Sequence, residues 1–99
     1  MIESFQNINK AFESKVRLGI MAILMVNEEM DFNAIKELLS LTDGNLASHT
    51  RALEEMGYII CQKGFIGRKP RTVFQATQKG KTAFKSHIEA LEEFLKSTE

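Results

Sequence analysis

The sequence has no tryptophan, one cysteine, one proline and no long hydrophobic run. Because a lone cysteine, Cys61, cannot form an internal disulfide, we expect a reducing, cytoplasmic location. The longest apolar stretch, Leu18–Val26, is nine residues long, well short of the roughly 18–20 that a membrane-spanning helix needs. It also lacks the basic start and the small-residue cleavage site of a signal peptide. We therefore expect no membrane partner.

The patterns that build catalytic and cofactor sites are also missing from the sequence. It contains no glycine-rich phosphate loop, no paired metal ligands and no Ser/His/Asp or Cys/His set at a suggestive spacing. Gly64 and Gly67 alone are too short a signal for a phosphate site. We predict that the protein is not an enzyme and that it needs no cofactor and no metal. The identity of any effector ligand stays unknown at this point.

The charge of the chain is zero overall but unevenly distributed. Residues 58–85 contain 7 Lys and Arg and no Asp or Glu, whereas residues 1–57 have 5 against 9 and residues 86–99 have 1 against 4. A segment of this kind is typical of a surface that binds a polyanion. The length of 99 residues and the apolar fraction of 43% fit one globular domain over 1–99.

Residues 42–57 predict the helix around which the remaining elements are arranged. Thr42 or Asp43 can cap its start, and Gly57 can take the left-handed conformation just past its end. One face is apolar at helical spacing, and the other carries short polar groups, an imidazole and a guanidinium, which can reach base edges and phosphates in a major groove. The candidate DNA contacts here are Thr42, Asn45, Ser48, His49 and Arg51.

Three helices are predicted before this one. The first lies over residues 2–12, where Asn9 is a candidate break or cap, and two more follow it. Residues 11–26 are apolar nearly all round, which indicates a central helix buried on several sides. A very short strand at Met30–Phe32 and a helix over Ala34–Leu39, capped by Asn33, follow. Because only Ser40–Thr42 separate that helix from the next, residues 33–57 have helix-turn-helix spacing. Leu41 stands in the turn where many such motifs have glycine, and we expect it to anchor in the core.

Residues 58–76 predict a β-hairpin. Strands over Tyr58–Ile66 and Arg71–Ala76 flank a basic loop over Gly67–Pro70, where the missing N–H of the proline does no harm. The alternative for this basic loop is a merely solvated tip. The candidate contacts to DNA from the hairpin are Lys63, Arg68, Lys69 and Arg71.

The two terminal segments, 1–12 and 78–97, carry more apolar surface than a domain this small can cover. Exposed stripes of this kind usually mark an interface, so we predict that terminal helices pack together in a two-fold homodimer. The alternative is that both stripes fold back onto one core. Ile2 opens the first stripe. The candidate interface residues are Phe5, Ile8, Phe12, Phe84, Ile88, Leu91, Phe94 and Leu95.

Three other features have two interpretations each. Cys61 fits a buried structural cysteine, or a redox-sensing thiol whose pKa is lowered by Lys63. His87 lies on the apolar face of the last helix, at an interface or in the core. Basic residues near the start of that helix form a solvated face or reach the DNA backbone. These are Lys79, Lys81 and Lys85.

The stretches LTDGNLASHTRALEEMGYI and GRKPRTVFQATQKGKTAFKSHIEAL resemble small winged helix-turn-helix regulators close to the MarR and ArsR groups. The similarity covers residues 16–95. It implies a mainly α fold with a small β-hairpin (α+β), with terminal dimerisation helices, a recognition helix in the major groove and a hairpin, or wing, on the backbone or in the minor groove. It further implies a sequence-specific duplex-DNA-binding transcriptional regulator, homodimeric and acting as a repressor.

The chain departs from these relatives in two ways. Metal-sensing members use Cys pairs or His/Asp clusters, which this sequence lacks, and Arg51 is the one cation of the recognition helix. Wing contacts would then dominate affinity. The alternative function is a winged-helix protein–protein interaction module without DNA binding. The charge distribution favours DNA, because such a module has no need of an acid-free basic segment.

Overall fold

The structure, a computed structural model, describes residues 2–98 apart from the side chain of Ile2. Met1 and Glu99, the ends of the predicted domain, lie outside the described residues, as does the predicted role of Ile2. The fold is mainly α with a small antiparallel sheet, as predicted. In chain order the elements are α1 (Ile2–Gln6), a 3-10 turn (Lys10–Glu13), α2 (Lys15–Val26), β1 (Met30–Asp31), α3 (Phe32–Leu39), α4 (Asp43–Glu55), β2 (Ile59–Ile66), β3 (Lys69–Ala76) and α5 (Gln78–Ser97).

Asn9, the candidate break or cap of the first predicted helix, and Ser14 interrupt the N-terminal helices. The Asn9 side chain accepts a hydrogen bond from the Ala11 N–H at 2.9 Å and caps the 3-10 turn. Ser14 has an extended backbone, and its hydroxyl accepts from the Arg17 N–H at 3.3 Å, which caps α2. The central helix therefore begins at Lys15 and not at residue 11, since each cap satisfies N–H groups that a continuous helix would bond internally.

Helix α2 forms the middle of the core. Ile20, Met21 and Leu24 are fully buried along it, but Val26 is 83% exposed at its end. The expectation of burial on several sides therefore fails at Val26, the last residue of the helix. The buried core cluster consists of Phe12, Ile20, Met21, Leu24, Ile35, Leu46, Leu53, Ile59 and Phe74.

The start of α3 is capped by Asp31 and not by Asn33. Asp31 ends β1 in an extended conformation, and its Oδ1 accepts from the Ala34 N–H at 2.7 Å. Pairing with β3 holds Asp31 extended, as an N-cap must be. At the other end of α3, Ser40 adopts the left-handed conformation at φ 53°, and Leu41 packs half-buried against the core, as predicted.

The sheet has the order β1-β3-β2, with both pairs antiparallel. The hairpin pairs Ile59 with Ala76 at its base and Ile66 with Lys69 at its end, so the loop is only two residues long. Gly67 occupies its first position at φ 60°, as a tight hairpin turn requires. The predicted four-residue loop was too long, because Lys69 and Pro70 belong to β3.

Pro70 fits within β3 for a geometric reason. The pair that closes a two-residue hairpin exchanges hydrogen bonds, and the next pair, Phe65 with Pro70, does not. Strand β1 pairs only with Val73 and Phe74, so no neighbouring strand needs the missing N–H. Residues 63–72, which we call the wing tip, extend beyond β1 as a two-stranded ribbon.

Candidate nucleic-acid interface

Helix α4 presents its polar side because its apolar side is held in the core. Leu46, Thr50 and Leu53 are buried, and the Thr50 hydroxyl donates to the Leu46 carbonyl at 2.9 Å. Thr42 caps the helix by accepting from the Asn45 N–H at 3.1 Å, and an accepting hydroxyl still has its own O–H to donate. The structure leaves four of the five predicted helix contacts exposed, namely Thr42, Asn45, Ser48 and Arg51.

His49, the fifth predicted contact, is half-buried against α2. Its Nδ1 lies 3.2 Å from Nε of Arg17. An arginine Nε–H can only donate, so Nδ1 is the acceptor and the proton of the neutral ring sits on Nε2. Such a ring offers a donor to a base acceptor or a phosphate. Arg17 was missed from the sequence, because only the packing of α2 on α4 brings it to this side chain.

The acid at the start of α4 is neutralised from the neighbouring helix. Lys36 on α3 contacts the carboxylate of Asp43 at 2.7 Å. Without this pair, Asp43 would present a negative charge at the helix N-terminus, where free N–H groups and the helix dipole favour an anion such as phosphate.

The four predicted wing contacts divide into two groups. Lys63, Arg68 and Lys69 are exposed on the wing tip. Arg71 is half-buried, and its Nε lies 3.8 Å from Oδ2 of Asp31. Since Asp31 also caps α3, this ion pair joins the base of the wing to the helix-turn-helix. Arg71 therefore connects the hairpin to α3 in the free protein. Among the described residues, the other three cations of the wing tip have no ion pair of this kind.

The charges at the start of α5 run against the helix dipole, which favours acids at a helix N-terminus. Its N-terminal half holds Lys79, Lys81 and Lys85, and its C-terminal half holds Glu89, Glu92 and Glu93. This order does not serve helix stability. It places cations next to the hairpin, and one of them, Lys79, has its Nζ 5.9 Å from the centre of the Tyr58 ring.

His87 is a core residue that ties α5 to the N-terminal segment. It is buried, and its ring lies edge-on to Phe12 with centroids 5.2 Å apart. Its Nδ1 accepts from the Asn9 N–H at 3.0 Å, and the Asn9 side-chain amide donates to the Tyr58 hydroxyl at 3.0 Å. Desolvation by burial lowers the pKa of His87, which favours the neutral form of the ring in the folded chain.

This geometry predicts a pH-dependent stability. An unfolded histidine has a pKa of about 6.5, and the folded pKa lies lower, so the unfolded chain binds the extra proton as the pH falls between the two values. Stability is fully present above about pH 6.5 and declines as the pH falls towards the folded pKa. We expect the melting temperature, followed by circular dichroism, to drop between pH 7.5 and 5.5. His87→Gln should flatten that slope, and an unchanged slope in this variant would contradict the role of His87.

Cys61 does not have the environment of a reactive thiol. It is half-buried in an open groove of about 350 Å³ between α4 and the hairpin. Burial raises its pKa, Glu54 raises it further, and Lys63 lowers it only in part. The predicted lowering by Lys63 is therefore outweighed.

Apolar side chains remain exposed along α1 and α5. Phe5 is 60% exposed although its ring lies 5.4 Å from that of Phe94, and Leu91 and Leu95 are exposed one turn apart. Ile8, Phe84, Ile88 and Phe94 are half-buried. Phe12, in contrast, is 3% exposed and packs in the core, because the chain turns at Asn9. It is not available to a partner.

Two kinds of site are absent from residues 2–98. No group of three His, Cys, Asp or Glu side chains in this range is placed to hold a metal ion. No helix in the same range is long and apolar enough to cross a membrane.

The chain belongs to the winged helix DNA-binding domain family, whose sequence model matches residues 16–95. It is a DNA-binding transcriptional regulator of the winged-helix class, as the resemblance implied. An uncharacterised protein of Methanocaldococcus jannaschii is 41% identical over 90 residues, which cover 91% of this chain and 98% of that protein. A transcriptional regulator homologue from Pyrococcus horikoshii OT3 superposes with a TM-score of 0.88 at 34% identity, over 98% of both chains. A MarR family regulator from Neisseria meningitidis shares the fold at a TM-score of 0.63 and 21% identity, over 86% of this chain and 59% of that chain.

Proposed function

We propose that the chain is a homodimeric repressor that binds a two-fold symmetric duplex sequence. Helix α4 enters the major groove, and the wing tip contacts the neighbouring backbone. The observation that carries this proposal is that Arg51 of α4 and Lys63 of β2 line the same groove. The base-reading helix and the basic ribbon therefore act on one side of the protomer.

Each contact has a chemical role. Asn45 and Arg51 can bind a base edge through two hydrogen bonds, and Ser48 can bind through one. His49 donates from Nε2 because Arg17 occupies its Nδ1. Thr42 donates its hydroxyl proton to a phosphate. From the wing, Lys63, Arg68 and Lys69 neutralise phosphates, and because α4 carries Arg51 as its one cation, the wing supplies most of the salt-dependent affinity.

The partner of the exposed apolar surface is a second copy of the chain. Phe5, Leu91, Phe94 and Leu95 form the centre of this interface, with Ile8 and Ile88 at its edge. Burying exposed leucine and phenylalanine side chains drives association, and the acidic half of α5 lies away from the DNA. A two-fold dimer presents two recognition helices to half-sites about 34 Å apart. A bound dimer then excludes other proteins from that duplex, which is the basis for repression.

Binding to a pool of random duplexes, measured by fluorescence anisotropy at 50 and 200 mM salt, tests this function. If each protomer neutralises three phosphates, the six contacts of a dimer give a slope of log affinity against log salt of about −5. We expect that slope, and sedimentation equilibrium should give two chains per duplex. Binding that is absent at the lower salt would reject DNA binding and favour the interaction module. Binding by single chains would reject the dimer.

A further inference from the structure

The wing tip carries two large apolar side chains that are mostly exposed to solvent. Phe65 is 75% exposed and Ile66 is 64% exposed. They lie between Lys63 and the pair Arg68 and Lys69, in a segment without any acid. An apolar group that is exposed at a protruding tip whose own charged residues are all cations fits a partner that has apolar surface between anions. A DNA groove is such a surface, because sugars and base edges lie between two rows of phosphates.

The register of the hairpin gives the two side chains opposite directions. Side chains alternate along a strand and pair across it, so Phe65 and Pro70 share a face with Lys63 and Thr72. Lys63 and Thr72 line the groove shared with α4. Phe65 therefore continues the face that looks towards the recognition helix. Ile66, paired with Lys69, lies on the other face.

The backbone holds Phe65 in place without a partner. The two-residue turn at Gly67 and the fixed φ of Pro70 opposite Phe65 limit the conformations of the ribbon. The wing tip begins one pair beyond β1 and extends four residues to the turn, or about 13 Å at a strand rise of about 3.3 Å per residue. A rigid projection of this length can reach past the phosphates while α4 occupies the adjacent groove.

We propose that Phe65 is an apolar wedge that enters the minor groove beside the segment held by α4 and partly unstacks one base step. This inference rests on the proposed DNA binding and adds to it a cause of DNA bending and a preference for easily unstacked steps. Apolar wedges act in this way in proteins that kink DNA from the minor groove. The steps that unstack most easily are pyrimidine–purine steps.

The test uses duplexes that the full-length wild-type protein selects from the random pool. Each adenine in turn is replaced by 2-aminopurine, whose fluorescence rises on unstacking, and end-to-end energy transfer reports the bend. We expect the wild type to raise the fluorescence several-fold at one position per half-site and to shorten the end-to-end distance. Phe65→Ala should abolish both signals and weaken binding about a hundredfold, since a dimer loses two rings and each ring that stacks on a base contributes about tenfold.

Two further variants control this result. Phe65→Leu keeps an apolar wedge and should retain the bend, whereas Ile66→Ala, on the other face, should behave as the wild type. Because no charge changes, Phe65→Ala should leave the salt slope unchanged. Wild-type binding with equal fluorescence and bend in Phe65→Ala would overturn the wedge alone. A change in the number of chains per duplex in Phe65→Ala would also overturn it, since Phe65 would then contact protein. Absent wild-type binding would overturn the proposed function and the wedge together.

Discussion

Gly80→Ala is expected to destabilise the chain by about 3 kcal/mol or more, the upper range for forcing an extra group into a packed site. A Cβ at this position would lie 2.1 Å from the Tyr58 carbonyl oxygen and within 3 Å of two further backbone atoms of Tyr58. No side-chain rotation can relieve these contacts. Helix α5 would have to move away from the start of the hairpin.

That movement would break a junction on which three elements depend. The Thr77 hydroxyl accepts from the Gly80 N–H at 3.0 Å and donates to the Gly57 carbonyl at 2.6 Å. The Thr77 N–H donates to the same Tyr58 carbonyl at 3.0 Å. The end of α4, the base of the wing and the start of α5 are therefore fixed together within a few residues of Gly80.

Urea denaturation followed by circular dichroism measures the effect. Gly44→Ala is the matched control, because Gly44 also lies in the first turn of a helix but has nothing within 4 Å of the position that an added methyl carbon would occupy. It should stabilise the chain by roughly 0.5–1 kcal/mol, the usual difference between alanine and glycine in a helix. Equal effects of the two substitutions would contradict the packing of α5 on Tyr58.

Local signals in the sequence located helix α4 and its two ends, but the role of Gly80 depends on tertiary contacts. The cap at Thr42 and the left-handed Gly57, at φ 77°, have the roles that their residue types predicted. Gly80 was interpreted only as a modest cost to α5, because nothing in the sequence places Tyr58 against it. The prediction that Asn33 caps α3 was wrong for a similar reason. Asp31 and Asn33 are both good caps, and pairing with β3 decides between them.

In the wing, too, the sequence alone could not predict which charges are paired and which apolar side chains are exposed. Composition identified its cations but could not show that Arg71 faces Asp31, which lies 40 positions earlier in the chain. Two consecutive apolar residues in a β-rich segment, such as Phe65 and Ile66, are typical of a strand that is buried on both faces. Their exposure was therefore not predicted. It follows from the end of β1, since among the described residues no third strand pairs with β3 before Val73.

The apolar stripe predicted over residues 1–12 does not stay on one surface, because Phe5 is exposed and Phe12 is buried. A single helix over 1–12 would align Phe5 and Phe12 on one face. The turn at Asn9 redirects the chain, so that Phe12 packs against Tyr58, Phe84 and His87. Phe5 stays on α1 beside Phe94. The alternative of one core therefore holds for Phe12, whereas the dimer surface stays a proposal for Phe5.

The double charge reversal Arg68→Glu with Lys69→Glu is expected to have the largest effect on DNA binding. Each substitution removes a phosphate contact and adds a repulsion at the exposed end of the hairpin. In a dimer four contacts are lost, which should make the salt slope less negative by about 4 and lower affinity at 50 mM salt by at least about a hundredfold. Fluorescence anisotropy with the selected duplex measures both quantities. Sedimentation should still give a dimer, because the α1–α5 surface is untouched.

Lys96→Glu is the control for this variant, since it reverses an exposed charge in the last turn of α5, far along the helix from the basic end next to the hairpin. It should leave affinity within about twofold, because exposed charges more than a Debye length of about 10 Å apart are largely screened. The two functions separate on this comparison. If the protein is a repressor, reversing the two charges of the wing tip lowers its affinity for DNA and leaves the dimer intact. An interaction module that docks through the apolar faces of α1 and α5 loses nothing, because neither Arg68 nor Lys69 lies on those helices.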